Sequence, residues 1–229
     1  MLVHIIADNS SETTIGHHRH STLPISFHNE VAGDIIGWLT RSVAASGGKC
    51  IVASVHAIYN ILATYRPDII RTLAEPNWPI ALPRVQCRPL IFHHKSKLIM
   101  NFGRTPLLGN AVHPRPEYLA KLNERQREAL DFVEEIAKRV QLEIRTQAGD
   151  MHFINNFTVL HRREGFVDGE KTHGKRHLVR MILRDSKEGW PIPEELEQDW
   201  DDAFKDDSSK TWHVEPMPGG EFPLRKYTN

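Results

Sequence analysis

Short strand-like segments separated by polar turns make up much of this chain. The segments 88–93 and 97–102 flank a polar turn and predict a β-hairpin, and 176–183 alternates between two sets of side chains with a period of two. Further short β-rich segments run over 142–146, 151–154 and 158–161. Because strands that are joined by short turns pair in antiparallel fashion, the sequence predicts a fold that is mainly β.

Helices are predicted at three places around these strands. The clearest covers 124–140, where apolar residues recur at helical spacing after a capping-box-like pair, Asn123 and Gln126. Two shorter helices are expected within 55–75, where apolar residues again have helical spacing and a proline restarts the pattern. The acidic stretch 194–207 is interpreted as a solvated helix that packs two aromatic side chains inward.

Charge and composition exclude several classes of protein. The chain has 29 Lys and Arg against 29 Asp and Glu, so it supplies no net field for binding nucleic acid or an anionic membrane. No apolar run reaches the roughly 18 residues of a membrane span, and the N-terminus has no secretory-signal pattern. Cys50 and Cys87 are too far apart for a cysteine metal motif. We therefore expect a soluble, cytoplasmic protein.

Three residues have the spacing of a metal site. His28 precedes Glu30 by two residues, and side chains two apart on a strand point to the same face, so both can reach one ion. With the distal His161 from a facing strand, they match a facial iron site that leaves three coordination positions open. The polar stretch 17–20 also contains histidines, but it has no carboxylate at ligand spacing, and we expect a solvated loop there.

Two sequence blocks surround the distal histidine and the arginines that follow it. They are G-D-M-H-F-I-N-N-F-T-V-L-H-R-R-E-G-F-V-D at 149–168 and R-H-L-V-R at 176–180. Both resemble segments of the TauD/TfdA family of taurine-dioxygenase-like Fe(II)- and 2-oxoglutarate-dependent oxygenases, especially its fungal members. The resemblance continues over 26–75, which contains a Ser-Gly-Gly turn, and over 88–109.

This resemblance implies a fold and an activity. The fold would be a double-stranded β-helix, a jelly-roll of the clavaminate synthase and TauD type, in a single domain over residues 1–229. Because Met1 matches a point inside the family fold, the N-terminal part of that fold is expected to be absent. The implied activity is oxidation, normally hydroxylation, of a small organic substrate by dioxygen, with release of succinate and carbon dioxide from 2-oxoglutarate.

The resemblance also assigns roles to six residues, with no catalytic residue beyond the metal centre. Fe(II) would be bound by His28, Glu30 and His161, and 2-oxoglutarate by Arg176, Arg180 and Cys50. Arg176 would meet the distal carboxylate of 2-oxoglutarate, and Arg180 would lie close to the co-substrate or the substrate. Two positions depart from the family pattern. Glu30 replaces the usual Asp, although clavaminate-synthase-like relatives use Glu, and Cys50 replaces a hydroxyl residue.

The arginine pair also has a physical rationale of its own. Arg176 and Arg180 lie on one face of a strand, about 13 Å apart at 3.3 Å per residue, which suits two different anionic groups better than one. Arginine is the residue expected for bidentate carboxylate recognition. Arg180 accordingly hints at an anionic substrate.

Three alternatives remain open at the level of sequence. The first is a non-catalytic relative that lacks the N-terminal part of the fold. The second is a zinc hydrolase that uses the same three ligands, which leaves Arg176 without a role. The third is a pure binding module, whose ligand uptake would be indifferent to His161→Ala.

Overall fold

The computed structural model describes residues 2–7, 18–170 and 174–205 of the chain. The strands in this part are β1 (Leu2–Ile6), β2 (Ile25–His28), β3 (Ile35–Ser42), β4 (Ser46–Gly47), β5 (Cys50–Ser54), β6 (Trp78–Ile80), β7 (Gln86–Arg88), β8 (Ile91–His94), β9 (Lys97–Met100), β10 (Leu142–Ile144), β11 (Met151–Asn155), β12 (Val159–Arg163), β13 (Phe166–Val167) and β14 (His177–Leu183). The helices are α1 (Val55–Tyr65), α2 (Pro67–Ala74), α3 (Thr105–Leu108), α4 (Glu124–Val140) and α5 (Glu194–Phe204).

Two four-stranded antiparallel sheets form the body of the fold. The first sheet has the strand order β1-β14-β3-β11, and the second has the order β10-β5-β12-β2. The sheets meet across a shared cavity, where the rings of Trp38 on β3 and His161 on β12 lie 5.0 Å apart between centroids. The predicted double-stranded β-helix with flanking helices is therefore confirmed.

The helices α1 and α4 cover the second sheet, α2 packs against both of them, and together they bury the largest apolar cluster. The bounds of α4 agree with the prediction from the sequence. Its first turn is fixed by a capping box, in which Asn123 Oδ1 accepts from Gln126 N at 2.9 Å and Gln126 Oε1 accepts from Asn123 N at 3.1 Å. Burial of one apolar stripe then holds this helix against the sheet that carries His28 and His161.

Helix α5 packs its apolar face against a second cluster. Trp200 is fully buried, stacks on Phe157 with ring centroids 5.7 Å apart, and donates from Nε1 to Asp34 Oδ1 at 3.2 Å. The expectation of an inward tryptophan is confirmed. The helix ends at Phe204, earlier than predicted, and residues 206–207 of the predicted helix lie outside the described part of the chain.

Two smaller features were not predicted from the sequence. β6 and β7 form a short antiparallel pair, and α3 is a single turn within a stretch that has no helical periodicity. In the predicted hairpin of β8 and β9, the turn consists of Lys95 and Ser96, both with positive φ. Among the described residues, no helix is long and apolar enough to cross a membrane.

Candidate metal centre

His28, Glu30 and His161 converge at one end of the second sheet. Each offers one ligand atom, and these atoms all lie within 4.8 Å of one another. His161 faces His28 across the β12–β2 pair, with ring centroids 4.2 Å apart, and His161 Nε2 lies 3.7 Å from Glu30 Oε1. Two imidazoles and one carboxylate in this arrangement are suited to a divalent transition metal.

Glu30 reaches this position by a different route from the one that the sequence suggested. The strand β2 ends at His28, so Glu30 lies in the loop after it and the alternation of a strand does not aim its side chain. Asn156 holds that loop: its Oδ1 accepts from Glu30 N at 2.9 Å, and its Nδ2 donates to Glu30 O at 3.1 Å and Gly33 O at 2.9 Å. The expected strand through Glu30 is thus corrected, while the convergence of the three side chains stands.

The protonation states of the group favour metal binding. Burial, followed by the nearby charge of His161, lowers the pKa of His28 to about 3, so its imidazole is neutral near pH 7. His28 Nδ1 bonds to Ser26 O at 2.9 Å, which leaves Nε2 with its lone pair for a ligand. Burial alone would raise the pKa of Glu30, but Arg180 and the two histidines hold it well below its usual range. His28 and Glu30 therefore need not lose protons to bind a cation at neutral pH.

The chemistry of the donor set fits a divalent cation. His161 is 7% exposed, and its Nε2 is the ring nitrogen that faces Glu30 Oε1. Arg180 Nη1 forms a short ion pair with the same carboxylate oxygen. Two imidazoles and a carboxylate that lie together are nitrogen and oxygen donors of the kind that a divalent transition metal takes, so these residues fit a metal ion.

Arg176 lines the same cavity. It is 7% exposed, its Nε donates to Gly48 O at 3.3 Å, and its backbone N donates to Asp168 Oδ1 at 2.7 Å. Gly48 has φ +72°, and a Cβ there would lie 3.0 Å from Arg176 Cδ, so the Ser-Gly-Gly turn makes room for the arginine side chain. Burial lowers the pKa of Arg176 to about 10, which leaves it charged near pH 7.

A cavity of about 170 Å³ unites these positions. All six residues that the sequence singled out line it: His28, Glu30, Cys50, His161, Arg176 and Arg180. Trp38 and Leu178 supply apolar walls from the first sheet. The arrangement offers a three-donor cation site and two buried guanidinium groups within one cavity, which suits a metal ion together with an anionic organic acid.

A model of the taurine catabolism dioxygenase TauD, TfdA family matches residues 2–182. The chain belongs to this family. Curated relatives include the taurine hydroxylase-like protein SAT17 of Stachybotrys chartarum, 38% identical over 88% of this chain and 54% of that protein. Another is the FR-33289 synthase of Streptomyces rubellomurinus, 30% identical over 76% of this chain and 53% of that protein. The chain thus spans about half the length of these relatives.

Solved structures share the fold of this TauD/TfdA member. An asparagine oxygenase in complex with Fe(II), 2S,3S-3-hydroxyasparagine and succinate superposes with a TM-score of 0.63 at 15% identity, over 80% of this chain and 56% of that one. The non-heme iron oxygenase OrfP in complex with Fe and alpha-ketoglutaric acid superposes with a TM-score of 0.55 at 16% identity, with the same coverage. At these identities the likeness concerns the fold.

One part of the cavity wall was interpreted wrongly from the sequence. The stretch 17–20 was expected in a solvated loop, but Arg19 is 5% exposed and His20 is 2% exposed, and His18 and Arg19 line the cavity. His17 lies outside the described residues. The polar composition of the stretch gave no hydrophobic signal, so nothing local in the sequence indicated that it is buried.

The mutation Asn156→Ala tests how the loop after β2 is held. Removing the amide takes away the hydrogen bonds to Glu30 N and Gly33 O and leaves Glu30 O with only a 3.5 Å contact from Asn101 Nδ2, and we expect the free energy of unfolding to fall by about 3 kcal/mol. Metal affinity should fall about 10- to 100-fold, because Glu30 loses its support. Urea denaturation measures the change in the free energy of unfolding.

The control Asn60→Ala, on the exposed side of α1, should change stability by less than about 0.5 kcal/mol. Equal losses in the two variants would contradict this role of Asn156.

The reactivity of the two thiols tests the environment of Cys50. Burial raises the pKa of the Cys50 thiol to about 11, although Arg176 opposes the shift, so little thiolate exists at pH 8. Cys87 is exposed. In the native protein, iodoacetamide should therefore alkylate Cys87 well before Cys50, and peptide mass spectrometry over a time course would show the order. Alkylation of Cys50 at the same rate as Cys87 would show that the thiol is neither buried nor protonated.

Proposed function

We propose that this protein is an Fe(II)- and 2-oxoglutarate-dependent dioxygenase that hydroxylates a small organic substrate. The observation that carries the proposal is the convergence of His28, Glu30 and His161 in the same cavity as Arg176. Membership of the TauD/TfdA family supports it. The asparagine oxygenase structure contains Fe(II) and succinate, and one OrfP structure contains Fe and alpha-ketoglutaric acid, which agrees with the same cofactor and co-substrate here.

Each residue has a distinct task in this proposal. His28, Glu30 and His161 would hold the ion through three donors and leave three positions of an octahedron open. Arg176 would bind the distal carboxylate of 2-oxoglutarate, with Cys50 beside it on the cavity wall. Bound Fe(II) would supply the chemistry in which dioxygen converts 2-oxoglutarate to succinate and carbon dioxide and places one oxygen atom on the substrate. Trp38 and Leu178 help to exclude water.

Aerobic consumption of 2-oxoglutarate tests the activity without knowledge of the substrate. Oxygenases of this kind oxidise 2-oxoglutarate slowly even without substrate. The purified chain with Fe(II), ascorbate and 2-oxoglutarate should therefore form succinate. Added candidate substrates that fit the cavity should accelerate it. Omission of iron, of dioxygen or of 2-oxoglutarate should each stop it. Hydrolysis of an added substrate by the zinc-loaded protein without dioxygen would instead support a hydrolase, a function that gives Arg176 no task.

A further inference from the structure

Helix α5 packs against the backbone around the proposed metal ligand Glu30. The helix lies outside residues 2–182, the part of the chain that the family model matches. Its buried apolar residues share one cluster with Ala32, two residues after Glu30, and with Phe157, which directly follows Asn156. The loop after β2 and the turn that holds this loop are therefore covered by the same helix.

Trp200 on α5 also makes a polar contact with this loop. It is fully buried, and its Nε1 donates to Asp34 Oδ1 at 3.2 Å. Asp34 closes the loop after β2, because its N donates to Leu183 O at 2.8 Å and its O accepts from Asn156 N at 2.9 Å. Asn156 in turn bonds to both the backbone N and the backbone O of Glu30. Two residues, Asp34 and Asn156, therefore link the indole of Trp200 to Glu30.

The carboxylate of Asp34 depends on its few neighbours for hydrogen bonds. Asp34 is 9% exposed, and besides the indole it accepts from Asp185 N, whose contact to Oδ2 measures 3.2 Å. Gly189 lies so close to Oδ2 that a Cβ there would clash with it. A buried carboxylate needs donors to offset its desolvation, so loss of the indole N–H would destabilise this position of the side chain. Asp34 would then turn toward water and move the loop with it.

The ring of Trp200 supports the neighbouring turn through stacking. It lies parallel to the ring of Phe157 with centroids 5.7 Å apart, and Trp190 stacks on the same ring at 5.6 Å. Because Phe157 is next to Asn156, these contacts restrict the turn from which the Asn156 amide reaches Glu30. Trp200→Phe should keep much of the stacking while it removes the hydrogen bond, so the contribution of the hydrogen bond can be measured by itself.

We propose that Trp200 is a positioning residue of the metal centre, which acts through Asp34 and Asn156 on the loop that carries Glu30. Trp200 is not among the described residues that line the cavity, so its influence on the metal is indirect. Groups that support a ligand from behind set metal affinity by keeping that ligand in one orientation. This inference rests on the proposed function, because it needs a divalent metal ion at this centre.

Titration of the full chain with Co(II), a visible probe for the Fe(II) site, tests the proposal. Trp200→Phe should lower the Co(II) affinity about 10-fold and change the d–d absorption of the bound ion. The matched control is Trp78→Phe. Trp78 is also fully buried, donates from Nε1 to Thr72 O at 3.0 Å, and lies in the apolar cluster beneath α1, α2 and α4. Both variants lose one buried indole hydrogen bond and should unfold at lower temperature, but only Trp200→Phe should change Co(II) binding.

A double variant tests whether Trp200 acts through Asp34. In Asp34→Ala the hydrogen bond is already absent, so adding Trp200→Phe should weaken Co(II) binding little further. Additive losses would overturn the inference, and so would wild-type affinity and absorption in Trp200→Phe. An equal loss of affinity in Trp78→Phe would also overturn it, because the effect would then be general destabilisation. If Asp34→Ala does not fold, the comparison of the two tryptophan variants decides by itself.

Hydrogen exchange in the metal-free protein separates this inference from the proposed function. The amide of Glu30 donates to Asn156 Oδ1, and it should exchange faster in Trp200→Phe than in wild type. Trp78→Phe should leave its exchange rate unchanged. If wild type binds neither Co(II) nor Fe(II), the proposed function fails, and the exchange rate of this amide still decides the role of Trp200. A wild-type exchange rate in Trp200→Phe would in that case overturn the inference.

Discussion

Replacement of His161 by alanine is expected to abolish iron binding and the formation of succinate. The residue supplies one of the three donors found in the described part of the chain, and its neighbours His28 and Glu30 cannot by themselves hold a divalent ion tightly. Loss of a group that merely supports a ligand costs about 10- to 100-fold in metal affinity, so loss of the ligand itself should cost at least about 100-fold. Metal analysis after anaerobic loading and gel filtration measures the binding, and succinate formation measures turnover.

A matched histidine controls for general effects of the substitution. His56 is exposed on α1, away from the cavity lining, and His56→Ala should bind one iron per chain and keep the activity of the wild type. Far-UV circular dichroism and the unfolding midpoint show whether His161→Ala still folds. Folded His161→Ala protein that retains stoichiometric iron would place the metal elsewhere, and one that retains turnover would exclude the proposed ligand set.

Replacement of Arg176 by glutamine is expected to weaken 2-oxoglutarate binding by about 100-fold while iron binding remains. Two charge-assisted hydrogen bonds to a carboxylate are lost, each contributing about 1.5–3 kcal/mol, and part of that is regained from the neutral amide. Arg176 does not belong to the metal-binding group, so its loss leaves the three donors in place. Anaerobic titration with 2-oxoglutarate at fixed iron gives both dissociation constants.

A conservative variant of Arg176 and a variant far from the cavity serve as controls for the 2-oxoglutarate titration. Arg176→Lys keeps the charge but cannot form a two-pronged contact, and its affinity should lie between those of wild type and Arg176→Gln. Arg71→Gln, on the exposed side of α2, should leave 2-oxoglutarate binding unchanged. If Arg176→Gln binds 2-oxoglutarate as tightly as wild type, the distal carboxylate is held by another group and the assignment of Arg176 is wrong.

Much of the fold could be predicted because its signals are local. The ends of α4 follow from a repeating apolar stripe and a capping box, both contained within a short stretch of sequence. The start of α1 follows likewise from Ser54, whose side chain accepts from Ala57 N. Strand pairing, by contrast, joins segments that are distant in the sequence, such as β1 and β14. The order of the strands in the sheets was therefore predicted only from the family resemblance.

The residues of the site show the same contrast between local sequence signals and long-range contacts. His28 and His161 are marked by their spacing and by the blocks around them, and they face each other on paired strands. The convergence of Glu30 with the two histidines was predicted from strand alternation, but the structure gives another reason. Asn156, which is 126 residues away in the sequence, holds the loop that carries Glu30. Arg19 could not be found, since its burial depends on Arg163, which is 144 residues distant in the sequence. Contacts between residues so far apart in the sequence produce no periodic pattern in either segment.

The most direct test of the central claim is anaerobic addition of Fe(II) and then 2-oxoglutarate to the purified wild-type chain. Chelation of the metal by the co-substrate gives a visible metal-to-ligand charge-transfer band, and no substrate is needed. We expect the band to saturate at one Fe(II) and one 2-oxoglutarate per chain, as the group of His28, Glu30 and His161 beside Arg176 implies. Folded protein that shows no band at saturating concentrations of both would contradict the existence of this iron and 2-oxoglutarate site.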